Sequence, residues 1–404
     1  MTRRGKITLA MLSFGHFIND TYSSMIYPLL PMLADKLHLT TAQVFWLAPL
    51  YSASASLMQP VYGFISDRYF RRIFAVFGPL MTGVFISCIG LADSYWILMA
   101  TLIMAGIGIG AFHPQGAAMA AAASGERRRM GMSIFSSSGT LGFSLGPTLI
   151  ALLVGSAGLD KSYYVVVLGI LTSMLLFKYC PPLEVAPKSY GAPEDSFSQM
   201  LRAVWAHLIL LYFITVLRSG TQILTSNYLP FILKEQGYSV QGIGGALTAF
   251  LLCVGLGSFS AGMLAERLSG RSVTLFSGVI TVPLFIGAFA SQGYWTIIFV
   301  AAAGIALGST LALNIAMAQE LLPRQTSTVS ALMMGFAWGV GALIPPLAEP
   351  LAQAFSFRQV LLFATPALSL AGVLLAYFLP DQSKRQTKIP EKRIVAAKLS
   401  AAGD

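Results

Sequence analysis

Long apolar runs alternate with short polar breaks along the whole chain. Twelve runs carry few charges: roughly 7–33, 43–65, 73–92, 95–122, 130–155, 161–180, 203–233, 242–265, 272–291, 294–319, 327–353 and 357–379. About 20 such residues wound as a helix cross a hydrocarbon core of about 30 Å, so the pattern predicts twelve transmembrane helices. The breaks repeat too. Gly63–Arg72 is a short, charge-dense loop, and Gly262–Arg271 is a weaker copy half a chain later. Leu29-Leu30-Pro31 is matched by Tyr228-Leu229-Pro230, and Gly146-Pro147 by Ile344-Pro345, at nearly the same offset. A near-constant offset means two homologous halves, a recurrent plan of secondary transporters. The expected fold is an all-α membrane protein of two pseudo-symmetric six-helix halves. They occupy residues 1–180 and 203–380, joined by a cytoplasmic linker at 181–202 that is rich in proline. A basic cytoplasmic tail at 381–404 follows.

Composition narrows the class. With 404 residues, 55% hydrophobic and 10% charged, and a mean hydropathy of +0.71, this is not a soluble domain. The net charge of +10 would suit nucleic acid, but its placement points to a lipid bilayer instead. Most Lys and Arg lie in the N-terminal tail, the even-numbered loops and the C-terminal tail, while the odd-numbered loops hold Lys36, Lys161, Lys234 and Arg358. The positive-inside rule then puts both termini and the Gly63–Arg72 loop in the cytoplasm. The first run is too long, and too polar at its centre, for a cleavable signal. Cys88, Cys180 and Cys253 are scattered without disulfide or metal-site spacing and read as packing residues. No matched triad or phosphate loop is visible, so no enzyme is expected.

Polar residues inside the runs are the informative exceptions, because ionisable groups at mid-membrane are costly and usually face a bundle interior or cavity. In the first run His16, Asn19, Asp20, Ser23 and Tyr27 fall on one helical stripe about 100° wide. The fourth run carries His113 beside Pro114, which removes a backbone hydrogen bond and is expected to kink the helix. The seventh run, partner of the first, has Arg218, Thr221, Gln222 and Thr225 on a matching stripe. Asn314 in the tenth run and Trp338 in the eleventh extend a candidate cavity between spans 1, 4, 7 and 10. The candidate proton-coupling or substrate residues are therefore His16, Asn19, Asp20, Tyr27, His113, Arg218, Gln222, Asn314 and Trp338. Arg218 is expected either to neutralise Asp20 or to grip an anionic substrate.

The repeated loops suggest a conformational latch built from Gly63, Asp67, Arg68, Arg71 and Arg72, with Gly262, Glu266, Arg267 and Arg271 as its copy. An acid ringed by arginines can pair across helix ends in one conformation and release in another. In the fifth run Gly139, Gly142, Gly146 and Pro147 permit close helix approach.

These features resemble the major facilitator superfamily over essentially the whole chain, through the Gly63–Arg72 loop, its echo, the twelve runs and the two halves. The fifth run resembles, incompletely, the fifth-helix signature of that superfamily's antiporters, and Glu266 stands where the second loop would carry Asp. More narrowly, His16-Phe-Ile-Asn19-Asp20, Ala111-Phe-His113-Pro114, Ser133-Ile-Phe135, Gly142-Phe-Ser-Leu-Gly146-Pro147 and Ala318-Gln-Glu-Leu-Leu-Pro323 resemble the fosmidomycin-resistance subfamily of bacterial efflux proteins. The resemblance implies a monomeric, proton-driven antiporter of the bacterial inner membrane. It would export small anionic or amphiphilic compounds, antibiotics included, with the proton gradient in place of any cofactor. No resident metal and no nucleic-acid partner are expected. Three other readings stay open: an organic-anion or metallophore transporter, a divalent-metal exporter using His16, Asp20 and His113 as ligands, and a non-transporting lipid-binding or sensor protein.

Overall fold

A computed structural model describes residues 1–59, 61–62, 65, 71–181, 194–265, 267–322 and 329–380, and every regular element among them is helical. The first predicted run is two helices, Arg3–Ser24 and Ile26–Leu37, that meet at Met25. Pro28 explains the break. It has no N–H to offer the Ser24 carbonyl, whereas in the first turn of a new helix none is needed. The second run contains the helix Thr41–Ser56, started by a capping box in which Thr40 and Gln43 satisfy each other's backbone N–H groups.

The other ten runs appear as segments long and apolar enough to cross a membrane. They are Arg72–Leu91, Tyr95–Arg127, Met130–Ala157, Leu159–Tyr179, Val204–Glu235, Val240–Ala261, Gly270–Ala290, Tyr294–Leu321, Ala331–Ala354 and Phe357–Tyr377. The linker is shorter than its composition suggests, because the seventh-span helix already begins at Glu194; residues 182–193 lie outside the described residues. Pro114 does not break its helix, which runs from Tyr95 to Ser124. The tenth run is broken between Tyr294–Gly308 and Leu311–Leu321. The eleventh opens as a π-helix, Ala331–Phe336.

The duplication is visible in detail. His38 and Gly237 occupy matching positions after the first and seventh spans, and both adopt left-handed backbone, with φ of 50° and 83°. Arg72 donates to the Phe177 carbonyl and lies 4.6 Å over the Phe177 ring. Arg271 donates to the Tyr377 carbonyl at 2.7 Å and lies 5.3 Å over that ring.

Packing between the halves differs at the two ends. At the Asp35 end one continuous core joins residues of both halves, including Tyr22, Leu29, Phe45, Tyr228, Leu233 and Phe250. Phe45 stacks on Tyr228 at 4.3 Å and on Phe357 at 6.1 Å. Thr148 and Thr248 hydrogen bond at 2.8 Å across the same junction. Asp35 pairs there with Lys234, residues 199 apart and so at equivalent positions of the repeat. Symmetry-equivalent residues can meet only on the axis that relates the halves, so this pair marks it. At the opposite end the core divides. One cluster around Leu12, Val76, Phe112 and Phe135 belongs to the first half, and another around Leu211, Ile214, Met317 and Met333 to the second. Among the described residues the buried apolar core is thus shared between the halves at the Asp35 end and divided at the other.

Candidate functional site

The polar cluster sits where the shared core gives way to the divided one. His16 and Asp20 are four residues apart on Arg3–Ser24 and share a face; His16 Nε2 lies 3.2 Å from Asp20 Oδ2. His113, from the fourth span, places its Nε2 3.0 Å from Asp20 Oδ1. Each imidazole is anchored through its other nitrogen, His16 Nδ1 to the Phe135 carbonyl at 2.8 Å and His113 Nδ1 to the Ile109 carbonyl at 2.8 Å. The His16 ring also stacks on Phe135 at 4.2 Å and meets His113 edge-on at 5.1 Å.

Gly139 of the fifth span closes the site from behind. A Cβ there would collide with the His16 ring and lie 2.7 Å from Asp20 Oδ2. Gly142 and Gly146 repeat the arrangement one and two turns on, where a Cβ would strike the Phe17 and Thr21 carbonyls. The small-residue run is therefore what lets the fifth helix lie against the polar face of the first.

The anchoring bonds fix where protons must be. A carbonyl oxygen only accepts, so both Nδ1 atoms carry hydrogen. Both Nε2 atoms therefore face the Asp20 carboxylate, at 3.2 and 3.0 Å. Asp20 and His113 keep 15% and 27% side-chain exposure against 10% for His16, so the carboxylate is reachable. The three donor atoms lie within 4.8 Å of one another, a spacing that also suits a cation.

The rest of the first-helix stripe does not join this cluster. Asn19 is fully buried and accepts from Thr82 of the third span at 3.0 Å. Tyr27 is buried against Phe143 at the Asp35 end. Gln222 and Asn314 are buried, with Gln222 Oε1 and both polar atoms of the Asn314 amide lacking protein partners among the described residues. Trp338 is half-buried, just past the π-helical segment.

Arg218 corrects an expectation. It forms no pair with Asp20, whose ion partners among the described residues are His16 and His113. Its guanidinium, 3% exposed, donates to Ser277 Oγ at 2.6 Å and to the Ala306 and Leu307 carbonyls at 2.8 and 2.9 Å. Those carbonyls end the helix Tyr294–Gly308 and have lost their in-helix partners at the break. A cation at a helix C-terminus is favoured by the helix dipole as well. Arg218 thus faces the ninth and tenth spans of its own half, as Asn19, its equivalent in the repeat, faces the third.

Only some of the residues expected to form a latch are described. Gly63, Asp67, Arg68 and Glu266 lie outside the described residues. Arg71 opens the helix Arg71–Ser87, Gly262 lies within Val240–Ala265, and Arg267 is exposed. Arg72 and Arg271 each tie the third or ninth span to the last helix of the same half, not to the other half. Phe135 and Ser277, whose backbone and hydroxyl oxygens hold His16 and Arg218, were not singled out as site residues from sequence. A carbonyl acceptor leaves no trace in residue type, and a lone Ser in an apolar span is unremarkable.

Comparison with known proteins agrees with this architecture. The profile of the Major Facilitator Superfamily matches residues 12–226 and 211–402. The fosmidomycin resistance protein of Escherichia coli (strain K12) is 29% identical over 379 residues, covering 92% of each chain. An uncharacterised MFS-type transporter of Bacillus subtilis (strain 168), YfnC, is 27% identical over 93% of each. Among solved structures, an inward-facing, unoccupied bacterial homologue of the human lysosomal transporter Spinster superposes with a TM-score of 0.77. It shares 16% identity over 94% of this chain and 96% of its own. Two repeated six-helix halves, joined at one end and divided at the other around a buried polar cluster, together with a profile match along the chain, place this multi-pass membrane protein in the major facilitator superfamily.

Proposed function

We propose that this transporter exports small anionic or amphiphilic compounds in exchange for protons, by alternating access, with Asp20, His16 and His113 as the proton-carrying group. The observation that carries the reading is the convergence of those three side chains, each imidazole anchored through Nδ1 with Nε2 facing the carboxylate, at the point where the shared core divides. Similarity to a fosmidomycin resistance protein supports the substrate class. In this reading the divided end faces the cytoplasm and the Asp35 end is shut. Rocking of the halves then opens the Asp35 end and closes the other.

The test is transport in proteoliposomes against a panel of anionic, neutral and cationic drugs, with and without a pH gradient. Asp20→Asn should abolish uphill, gradient-driven transport while the protein stays folded. Exchange also requires substrate and protons to exclude one another, so affinity should fall as the binding side is acidified. A rise would mean cotransport instead. A second reading, export of a divalent metal ion, is favoured by the convergence of two imidazoles and a carboxylate. Titration calorimetry with Zn²⁺ on the wild type and on His113→Gln separates the two, because drug efflux predicts no metal-dependent difference.

A further inference from the structure

A second charged feature lies far from the polar cluster, at the end of the bundle that carries the N-terminus. An open cleft of about 540 Å³ is lined by Arg3, Arg4, Arg72 and Lys178, with Ile7 and Tyr179 beside them. Among the described residues no Asp or Glu lines it. Arg3 and Arg4 form the first turn of the helix Arg3–Ser24, which has no acidic residue there. Cations in that position oppose the helix dipole, whereas an anion set against the free N–H groups and the arginines would turn the arrangement favourable.

The other two cations come from the third and sixth spans. Arg72 is held on the Phe177 ring, and its buried Nε has no protein partner among the described residues. Lys178 lies over the Tyr179 ring at 5.2 Å. Beside the cleft the surface turns apolar. Phe77, Met174 and Phe177 are 56%, 63% and 62% exposed, on helices tied together by the Ser173 hydroxyl and the Val76 carbonyl at 2.9 Å. The cations therefore rim a membrane-facing apolar belt. The duplication does not account for them: Ala203 and Phe378 stand in the second half where Arg4 and Lys178 stand in the first, leaving Arg202 and Arg271.

We propose that this cleft binds the phosphate headgroup of an anionic phospholipid, with the acyl chains lying along Phe77, Met174 and Phe177. Basic pockets at the ends of membrane spans recognise such headgroups through the same charges.

The experiment uses the full chain, purified in detergent, and native mass spectrometry with added phosphatidylglycerol, phosphatidylcholine or inorganic phosphate. The wild type should retain phosphatidylglycerol in preference to phosphatidylcholine and gain thermal stability from it. Each basic residue near an anionic surface is worth about fivefold in binding, so Arg3→Gln/Arg4→Gln/Lys178→Gln together should weaken retention on the order of a hundredfold. Lys6→Gln, on the same helix but outside the cleft, should leave it unchanged. If the triple variant does not fold, Lys178→Gln alone should show the fivefold loss. Equal retention of the two lipids, or of phosphatidylglycerol by wild type and variant, overturns the proposal. So does stabilisation by inorganic phosphate at the same phosphate concentration, which would make this a site for soluble anions.

Discussion

Arg218 stands inside a span, where a cation needs compensation, and of its two expected partners, Asp20 and an anionic substrate, Asp20 is not the one it meets. The compensation is instead a set of backbone carbonyls freed by the break after Gly308, with the Ser277 hydroxyl. Arg218→Gln should therefore lower stability by about 3 kcal/mol, by removing the charged donors and leaving the Ala306 and Leu307 carbonyls to the Ser277, Ser309 and Thr310 hydroxyls, and should impair anionic and neutral substrates alike. Arg218→Lys should recover only part, since a point charge does not reproduce the planar fork. Binding of one anionic and one neutral drug to each variant decides the matter: selective loss of the anion would make Arg218 a substrate anchor. Gly139 is the opposite case, a residue with no side chain that controls two that matter. Gly139→Ala would push its Cβ into His16 and Asp20. An overpacking cost of about 1–3 kcal/mol and loss of gradient-driven transport should follow, read by thermal melting and a vesicle assay.

Helix pairs carry the next level of argument. The first and fifth helices touch through glycines on one side and backbone carbonyls on the other, so their spacing has no slack. The same device joins the halves, where Gly244 of the eighth span lies against Pro147 and Ala151 of the fifth. A Cβ on Gly244 would lie 2.5 Å from Ala151 Cβ and 2.7 Å from the Pro147 carbonyl oxygen, while next to it Gly245 has nothing within 4 Å. This adjacent pair makes a controlled comparison. Gly245→Ala should be neutral or stabilising by up to about 1 kcal/mol, from helix propensity alone. Gly244→Ala should lower the melting temperature and loosen the closed end. Equal melting temperatures for the two variants would show that contact across the halves does not limit stability.

At the scale of the whole molecule, the division of the hydrophobic core defines what can move. Two separately packed clusters at one end allow the halves to part there without exposing a shared core, whereas the Asp35 end must break aromatic stacking to open. The Asp35–Lys234 pair is half-exposed and, like most surface pairs, contributes little by itself. The apolar contacts around Phe45 and Tyr228 hold that end. A disulfide across it should stop the cycle. With Cys88, Cys180 and Cys253 replaced, Thr148→Cys/Thr248→Cys, whose hydroxyls now meet at 2.8 Å, should crosslink on oxidation and block transport, and reductant should restore it. Full transport by the crosslinked protein would rule out opening at that end.

The chain by itself determined the spans, the two halves and the presence of a buried acid with histidines nearby. Crossing a bilayer demands apolar residues locally and continuously, and a duplicated gene keeps its register, so both are written in one dimension. The apolar pattern also overran the true elements where proline or a pair of hydroxyl residues intervened, at Met25 and at Ser309–Thr310. What the tertiary structure alone decided is direction. A stripe about 100° wide on one helix is broad enough to meet several neighbours, so Asp20 turns to His113 while Asn19, one residue away, turns to Thr82. Which carbonyl takes the proton of His16, which carbonyls hold Arg218, and which end of the bundle shares its core all depend on the packing of distant spans. Backbone oxygens are common to every residue, and nothing in the order of side chains marks the ones that folding brings within reach.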